Sequence, residues 1–202
     1  MIEDRDYFVI DDPKTRLDPA GLFGVEKPLY VEIGSGKGEF ISQYSLQHPE
    51  WNFLGFEARE KRIRNILKKI SPDRHPNVRI VRMMVGADIS EVLAPVSVAG
   101  VFIQHPDPWP KKKHHKRRLF QQDFLNALAS VMRTDAEVHV STDHAEYAEW
   151  IAREFAANSN FTSLQQQAIQ TEPSLNDHVI TWYEAEQRRL GYSPNFMLYR
   201  RL

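Results

Sequence analysis

The chain contains no cysteine. That excludes disulfides, thiolate metal sites and a cysteine nucleophile, and it fits a reducing compartment. An excess of charge of either sign is also missing: 26 Lys+Arg face 27 Asp+Glu, for a formal net charge of -1. A protein so balanced meets a polyanion only through a local patch. Long hydrophobic runs are absent too. The longest nearly apolar stretch, Val92 to Ile103, is broken by Pro95, Ser97 and Gly100 and is too short to span a bilayer. The opening residues, "MIEDRDYFVIDDPK", are acidic and lack the pattern of a secretory signal. The expectation is a cytoplasmic protein, monomeric or homodimeric, with no membrane partner. His114 and His115 have no partner at a metal-ligand spacing such as H-E-x-x-H, so no metal is expected.

What is present is one substantial domain's worth of chain, 202 residues, with no internal repeat and no low-complexity tract. Short apolar runs alternate with amphipathic segments, the pattern of a parallel α/β sheet. Leu29–Ile33, Asn52–Glu57, Val78–Met83, Gly100–Gln104 and Glu137–Asp143 read as strands, and the closing "NFMLYRRL" as a final one. Helical spacing marks Ile63, Ile66, Leu67 and Ile70, with Lys61, Arg62, Arg64, Lys68 and Lys69 on the opposite face. It recurs at Phe120, Phe124, Leu125, Leu128 and Val131, and again at Tyr147, Ile151 and Phe155, where Asp143 or Ser141 would serve as N-cap. "ITWYEAEQRRLG" reads as a last helix stopped by Gly191. This alternation predicts a doubly wound sheet, in which ligands bind beyond the carboxyl ends of the strands. The residues there are Glu32 to Gly38, Glu57, Asp88, Asp107 and Asp143.

"EIGSGKGEF" sets Gly34, Gly36 and Gly38 between a strand and a helix. The third glycine follows the second by two residues, which departs from the dinucleotide G-x-G-x-x-G pattern. Glu57 ends the next strand, where an acid grips ribose hydroxyls, since a carboxylate accepts two hydrogen bonds from a vicinal diol. Glu32 at the cradle repels phosphate and welcomes an ammonium or sulfonium. The ligand so described is a cationic nucleoside without phosphates; S-adenosylmethionine fits and NAD does not. Asp88 reads equally as a contact to the adenine amino group and as a helix N-cap.

The most unusual stretch is "IQHPDPWPKKKHHKRR". Pro106 and Pro108 fix φ on both sides of Asp107, Trp109 offers an aromatic plate, and six Lys/Arg with two His follow within eight residues. A charge run is usually a solvated face. At the ligand edge of a sheet, however, a rigid corner suits a displacement in which nucleophile, carbon and leaving sulfur must align.

"VEIGSGKGEF", "FLGFE", "PDPWPKKKHHKRRL", "STDHAEYAEWI" and "TWYEAEQRRLGY" together resemble the bacterial tRNA (guanine-N7-)-methyltransferases, from about Leu29 to the C-terminus. The resemblance implies a class I S-adenosylmethionine-dependent methyltransferase of Rossmann-like fold. Its doubly wound α/β sheet would be mostly parallel and seven-stranded, with an antiparallel C-terminal edge. A single domain over residues 29–202 would follow an N-terminal arm over 1–28. The resemblance also implies that Glu32, Gly34, Gly36, Gly38, Glu57, Asp88 and Asp107 meet S-adenosylmethionine or the reacting centre. Lys111, Asp143, Thr181 and Glu184 would meet the guanine of a tRNA, expected at position 46 of the variable loop. Two departures stand out: His105 occupies a position that is usually aromatic, and "MMVGA" before Asp88 is atypical.

Guanine N7 carries an in-plane lone pair and no proton, so no general base is needed. A fixed carboxylate such as Asp107 can stabilise the cation that develops on the purine. Asp143 or Glu184 can accept from guanine N1–H and N2–H and so exclude adenine. Lys112, Lys113, Lys116, Arg117 and Arg118 are placed to hold tRNA phosphates beside the target nucleotide, with Arg188, Arg189, Arg200 and Arg201 extending the track. Two alternatives remain at this stage. One is a methyltransferase acting on exocyclic or amide nitrogens, although the Asn/Asp-Pro-Pro start of such corners is missing. The other is a non-catalytic RNA-binding module, which would have no use for the glycine turn and Glu57.

Overall fold

Apolar residues spaced two apart decide which strands form and which faces they cover. In the computed structural model, which describes residues 2–202, a short helix α1 (Ile2–Phe8), strand β1 (Val9–Asp11) and helix α2 (Pro19–Phe23) come first. The body follows as β2 (Leu29–Ile33), α3 (Glu39–Gln47), β3 (Asn52–Phe56), α4 (Glu60–Ile66), β4 (Val78–Arg82), α5 (Ile89–Val92) and β5 (Val98–Gln104). A 3-10 helix over Lys112–Arg117 leads to α6 (Gln122–Val131), β6 (Met132–Thr142), α7 (Ala145–Ala156) and β7 (Phe161–Ser163). The chain closes with α8 (Trp182–Arg189) and β8 (Asn195–Arg201).

These make one sheet of order β1-β4-β3-β2-β5-β6-β8-β7. β1 through β6 run parallel, and β8 lies antiparallel between β6 and β7. The seven strands of the expected sheet are all there, with the antiparallel edge in place, and β1 adds an eighth. That strand comes from the segment expected to be an arm. Its Val9, Ile10 and Asp11 pair with Ile80, Val81 and Arg82, and Phe8 beside it is fully buried. Within that segment, Val9–Asp11 therefore form an edge of the sheet.

Alternation along each strand feeds two cores. Leu29, Val31, Ile33, Leu54, Phe56, Val101 and Ile103 meet α5, α6 and α7 through Ile89, Phe124, Leu128, Tyr147 and Phe155 on one face. Phe53, Ile80 and Phe102 meet α3 and α4 through Phe40, Ile41, Ile63 and Ile66 on the other. Each large side chain fully buried in this way contributes about 1.5–3 kcal/mol.

Helix ends differ from expectation in places. α4 gives way to turns after Ile66 although Ile70 stays buried. α7 is capped by neither Asp143 nor Ser141: the His144 Nδ1 accepts from the Tyr147 amide at 3.2 Å. α8 stops as expected near Gly191, which has φ of 87°. The chain runs outward from β2 to β3 and β4, then crosses back to β5 on the other side of β2. The sheet's switch point therefore lies between β2 and β5, and the crevice for a ligand opens there.

Candidate active site

The turn after β2 is fastened to the end of β3 by backbone hydrogen bonds. Gly34 and Ser35 both donate to the Phe56 carbonyl, at 2.8 and 2.9 Å, and Gly38 donates to Ser35 at 2.8 Å. Gly34, Gly36 and Gly38 have φ of 81°, 57° and 79°, in the left-handed region where a Cβ is costly. Their surroundings separate their roles. A Cβ on Gly34 would meet nothing within 4 Å, so the space above the turn is open. A Cβ on Gly38 would lie 2.9 Å from Ile66 Cγ1, so that glycine lets α4 pack against the turn.

Glu57 is buried, and its carboxylate accepts from the Gly36 amide at 3.0 Å and the Arg59 amide at 2.8 Å. Two oxygens offer about four acceptor positions, so capacity remains after these bonds. Glu32, next to the turn, is 3% exposed, and its Oε2 has no hydrogen-bond partner among the described residues. Burial pushes its carboxyl up to about 8, and the nearby Glu57 charge adds to the effect. Asp88 is exposed at the entry to α5. It makes no forward cap; its Oδ1 accepts from the Gly86 amide at 2.8 Å.

Across the switch point, Asp107 is exposed in the loop that leaves β5, and its side chain makes no hydrogen bond among the described residues. The residues bracketing it are unusual: His105 has φ of 48° and Trp109 φ of 41°. Non-glycine residues persist there only where their surroundings impose it, and two anchors do so. The His105 amide donates to the Ser141 carbonyl at 2.8 Å, and Arg118 Nε donates to the Pro108 carbonyl at 2.9 Å.

Asp143, at the end of β6, faces this corner. Its Oδ1 lies 3.3 Å from His105 Nδ1, and its Oδ2 accepts from the Tyr183 hydroxyl at 3.2 Å. Burial raises the Asp143 carboxyl, but the His105 hydrogen bond and those that follow outweigh it and hold it below its ordinary value. Burial and the Asp143 charge in turn lift the Tyr183 phenol to about 12. Thr181 caps α8 by accepting from the Glu184 amide at 3.2 Å. Glu184 itself is fully enclosed, bound to His178 Nε2 at 2.7 Å and to Arg188 at 2.9 and 2.8 Å. Burial raises its carboxyl, but the hydrogen bonds from His178 and the Arg188 charge outweigh it and hold it below its ordinary value. α8 also touches the glycine turn, where Lys37 Nζ sits 3.4 Å from the centre of the Trp182 ring.

The basic run is exposed at Lys111, Lys112, Lys113, Lys116 and Arg117. Arg118 is the correction: it is 2% exposed and unavailable to a phosphate. Its guanidinium holds Glu146 through bonds of 3.1 and 2.6 Å and lies over the Tyr147 and Trp150 rings. The expected second basic track is not continuous either. Arg188 is bound to Glu184, Arg189 to Glu186, and Arg201 Nε donates to the Ala129 carbonyl. Sequence reasoning missed the contacts of His105 and Tyr183 with Asp143. The one available signal was His105 standing where an aromatic was expected.

A doubly wound sheet with carboxylates at successive strand ends and an open glycine turn defines the class of α/β methyltransferases. Residues 26–195 match the family described as putative methyltransferase. The chain is 34% identical over 197 residues to a tRNA (guanine-N(7)-)-methyltransferase of Neisseria meningitidis serogroup C, covering 98% of this chain and 82% of the relative. It is 35% identical over 176 residues to the enzyme of the same name from Rhodococcus jostii, covering 87% and 67%. The chain belongs to the tRNA (guanine-N7-)-methyltransferase family. Among solved structures, the 16S rRNA methyltransferase KamB superposes with a TM-score of 0.67 at 15% identity, covering 96% of this chain and 98% of that one. A 16S rRNA (adenine(1408)-N(1))-methyltransferase from Catenulisporales acidiphilia, solved with its cosubstrate SAM, gives 0.61 at 18% identity, with 93% of both chains covered. These two likenesses bear on the fold.

Proposed function

We propose that this protein transfers the methyl group of S-adenosylmethionine to N7 of a guanine in tRNA, with position 46 of the variable loop as the expected target. The observation that carries the donor half is Glu32, a buried carboxyl with an unpartnered oxygen beneath an open glycine turn. A buried carboxyl oxygen without a partner among the described residues is costly, and the ammonium of the donor's amino-acid tail would relieve that cost. Glu57 would hold the ribose with its remaining lone pairs, Gly34 and Gly36 would leave room for the donor, and Asp88 would read the adenine amino group. Gly38 acts by seating α4.

S-adenosylmethionine supplies a methyl group on a cationic sulfur, and that charge ends on the purine. Nothing in the chain has to remove a proton, because N7 carries none. Asp107, without a side-chain partner among the described residues and held by its strained corner, would sit against the developing cation. Asp143, aimed by His105 and Tyr183, would accept from guanine N1–H and N2–H, and the Thr181 hydroxyl and Lys111 would complete the contact. Glu184 would act from within, fixing the start of α8 rather than touching the base. Lys112, Lys113, Lys116 and Arg117 would hold phosphates.

Incubation with labelled S-adenosylmethionine and unmodified tRNA, then borohydride–aniline cleavage, tests the reading. Label in tRNA with strand scission at one guanine is expected. Label without scission would move the acceptor away from N7.

A further inference from the structure

The basic run after β5 is one of two concentrations of positive charge in the chain. The other spans residues 59–74, where seven Lys or Arg stand against Glu60 and Asp73 alone. It begins two residues after Glu57 and forms the exposed side of α4 and of the turns that follow. Local stability does not account for it. Arg59 stands at the N-cap of α4 without a side-chain cap bond, and Lys61 and Arg62 fall in the first turn. Cations there oppose the helix dipole, which favours acids at that end.

Ion pairing accounts for only part of the cluster. Arg64 is bound to Glu60 at 3.3 Å, Arg62 lies 3.5 Å from Glu57, and Lys69 lies 3.2 Å from Glu39. Lys61 and Lys68 are exposed and have no acidic partner among the described residues. Lys61 stands in the first turn of α4 and Lys68 in the turns just past its end, and both are exposed while Ile63 and Ile66 between them are buried.

Topology places this surface. β3 and β5 are the two neighbours of β2. α4 leaves the carboxyl end of β3 and the Lys112–Arg117 helix follows the carboxyl end of β5, so the two cationic segments flank the glycine turn on one edge of the sheet. Strand ends two apart in a sheet are about 10 Å from each other. A polyanion drawn onto one segment therefore passes close to the other.

We infer that the exposed side of α4 and of the turns that follow it, marked by Lys61 and Lys68, is a second RNA-phosphate surface. It would grip the tRNA backbone on the donor side of the pocket while Lys112 to Arg117 grip it on the acceptor side. The inference rests on the tRNA reading above and adds where the substrate lies. The surface is sequence-independent by chemistry, since ammonium groups meet phosphate charge and read no base.

The test is Lys61→Glu with Lys68→Glu in the full chain, with fluorescence anisotropy against unmodified tRNA over a salt series. Loss of two phosphate contacts should weaken binding about tenfold or more at low salt. It should also make the slope of log affinity against log salt shallower by roughly 1.5. Affinity for S-adenosylhomocysteine should stay at the wild-type value, and the melting temperature should hold or rise, because a first-turn glutamate suits the dipole. Lys61→Arg with Lys68→Arg should keep the wild-type slope. If the charge-reversed protein keeps the wild-type affinity and slope while Lys112→Glu with Lys113→Glu loses both, the second surface is wrong and the tRNA reading stands. If the wild-type protein shows no salt-dependent tRNA binding, both fall.

Discussion

The two sides of the crevice are built by different means. On the donor side, backbone does the positioning: Phe56, Gly36 and Arg59 main-chain groups fix the turn and Glu57. On the acceptor side, side chains join one main-chain bond, from the His105 amide to the Ser141 carbonyl. His105, Tyr183 and Arg118 aim a corner whose flanking residues sit in left-handed conformations. A site held by main chain tolerates substitution of its neighbours. A site held by side chains distributes its geometry over residues far apart in the sequence, so single changes should be felt as lost alignment.

The comparison is sharpest at Asp107. Asp107→Asn should lower kcat on tRNA by about a hundredfold or more, the scale of losing one aimed electrostatic group, with tRNA affinity nearly unchanged in anisotropy. Full turnover in this variant would break the assignment of the acceptor side.

On the donor side, Glu32→Gln should weaken S-adenosylhomocysteine about tenfold or more in calorimetry, the cost of removing one charge-assisted contact. Its pH signature separates it from a packing defect. The free carboxyl is protonated below about 8 and the ammonium prefers it ionised, so wild-type affinity should fall by up to tenfold per unit as pH drops below that value. Binding near pH 7 should release a proton, seen as heat that varies with the buffer. Glu32→Gln should abolish both effects. The same raised value means that Glu32 costs the folded state increasing stability as pH climbs from its unfolded value towards 8.

Tyr183→Phe removes only the hydroxyl that donates to Asp143. A hydrogen bond of this kind contributes about 0.5–1.5 kcal/mol, so the tRNA KM should rise by roughly two- to tenfold with S-adenosylhomocysteine affinity unchanged. The smallest effect is expected from His105→Phe. It removes the Nδ1 contact to Asp143 but keeps an aromatic ring in the corner, so a rise in KM of a few-fold or less should appear in steady-state kinetics. A larger change in kcat than in KM would mean that His105 serves Asp107 rather than Asp143.

How much of this was legible follows from the same contrast. Strand ends were readable because an apolar run announces its own limits: Leu29–Ile33 was expected and found residue for residue. The acids at those ends were readable with them. β1 was not, since Val9–Asp11 is three residues in an acidic segment and becomes a strand only because β4 offers an open edge. β7, also three residues, depends on β8 in the same way. Asp143 was found as a strand-end acid, but its partners lie 38 and 40 positions away, and no local spacing reports such a pairing. Arg118 shows the limit most plainly. Within a run of like charges nothing marks the member that turns inward, because that choice is made by Glu146, 28 residues later.

That inward turn has a mechanical consequence. One end of the cationic segment is clamped at the strained corner, and the other is bolted through a buried guanidinium to the first turn of α7. The segment is thus a short closed handle with little swing, not a trailing brush. Whatever its lysines seize is held at a set height above the crevice, so capture and aiming are one event.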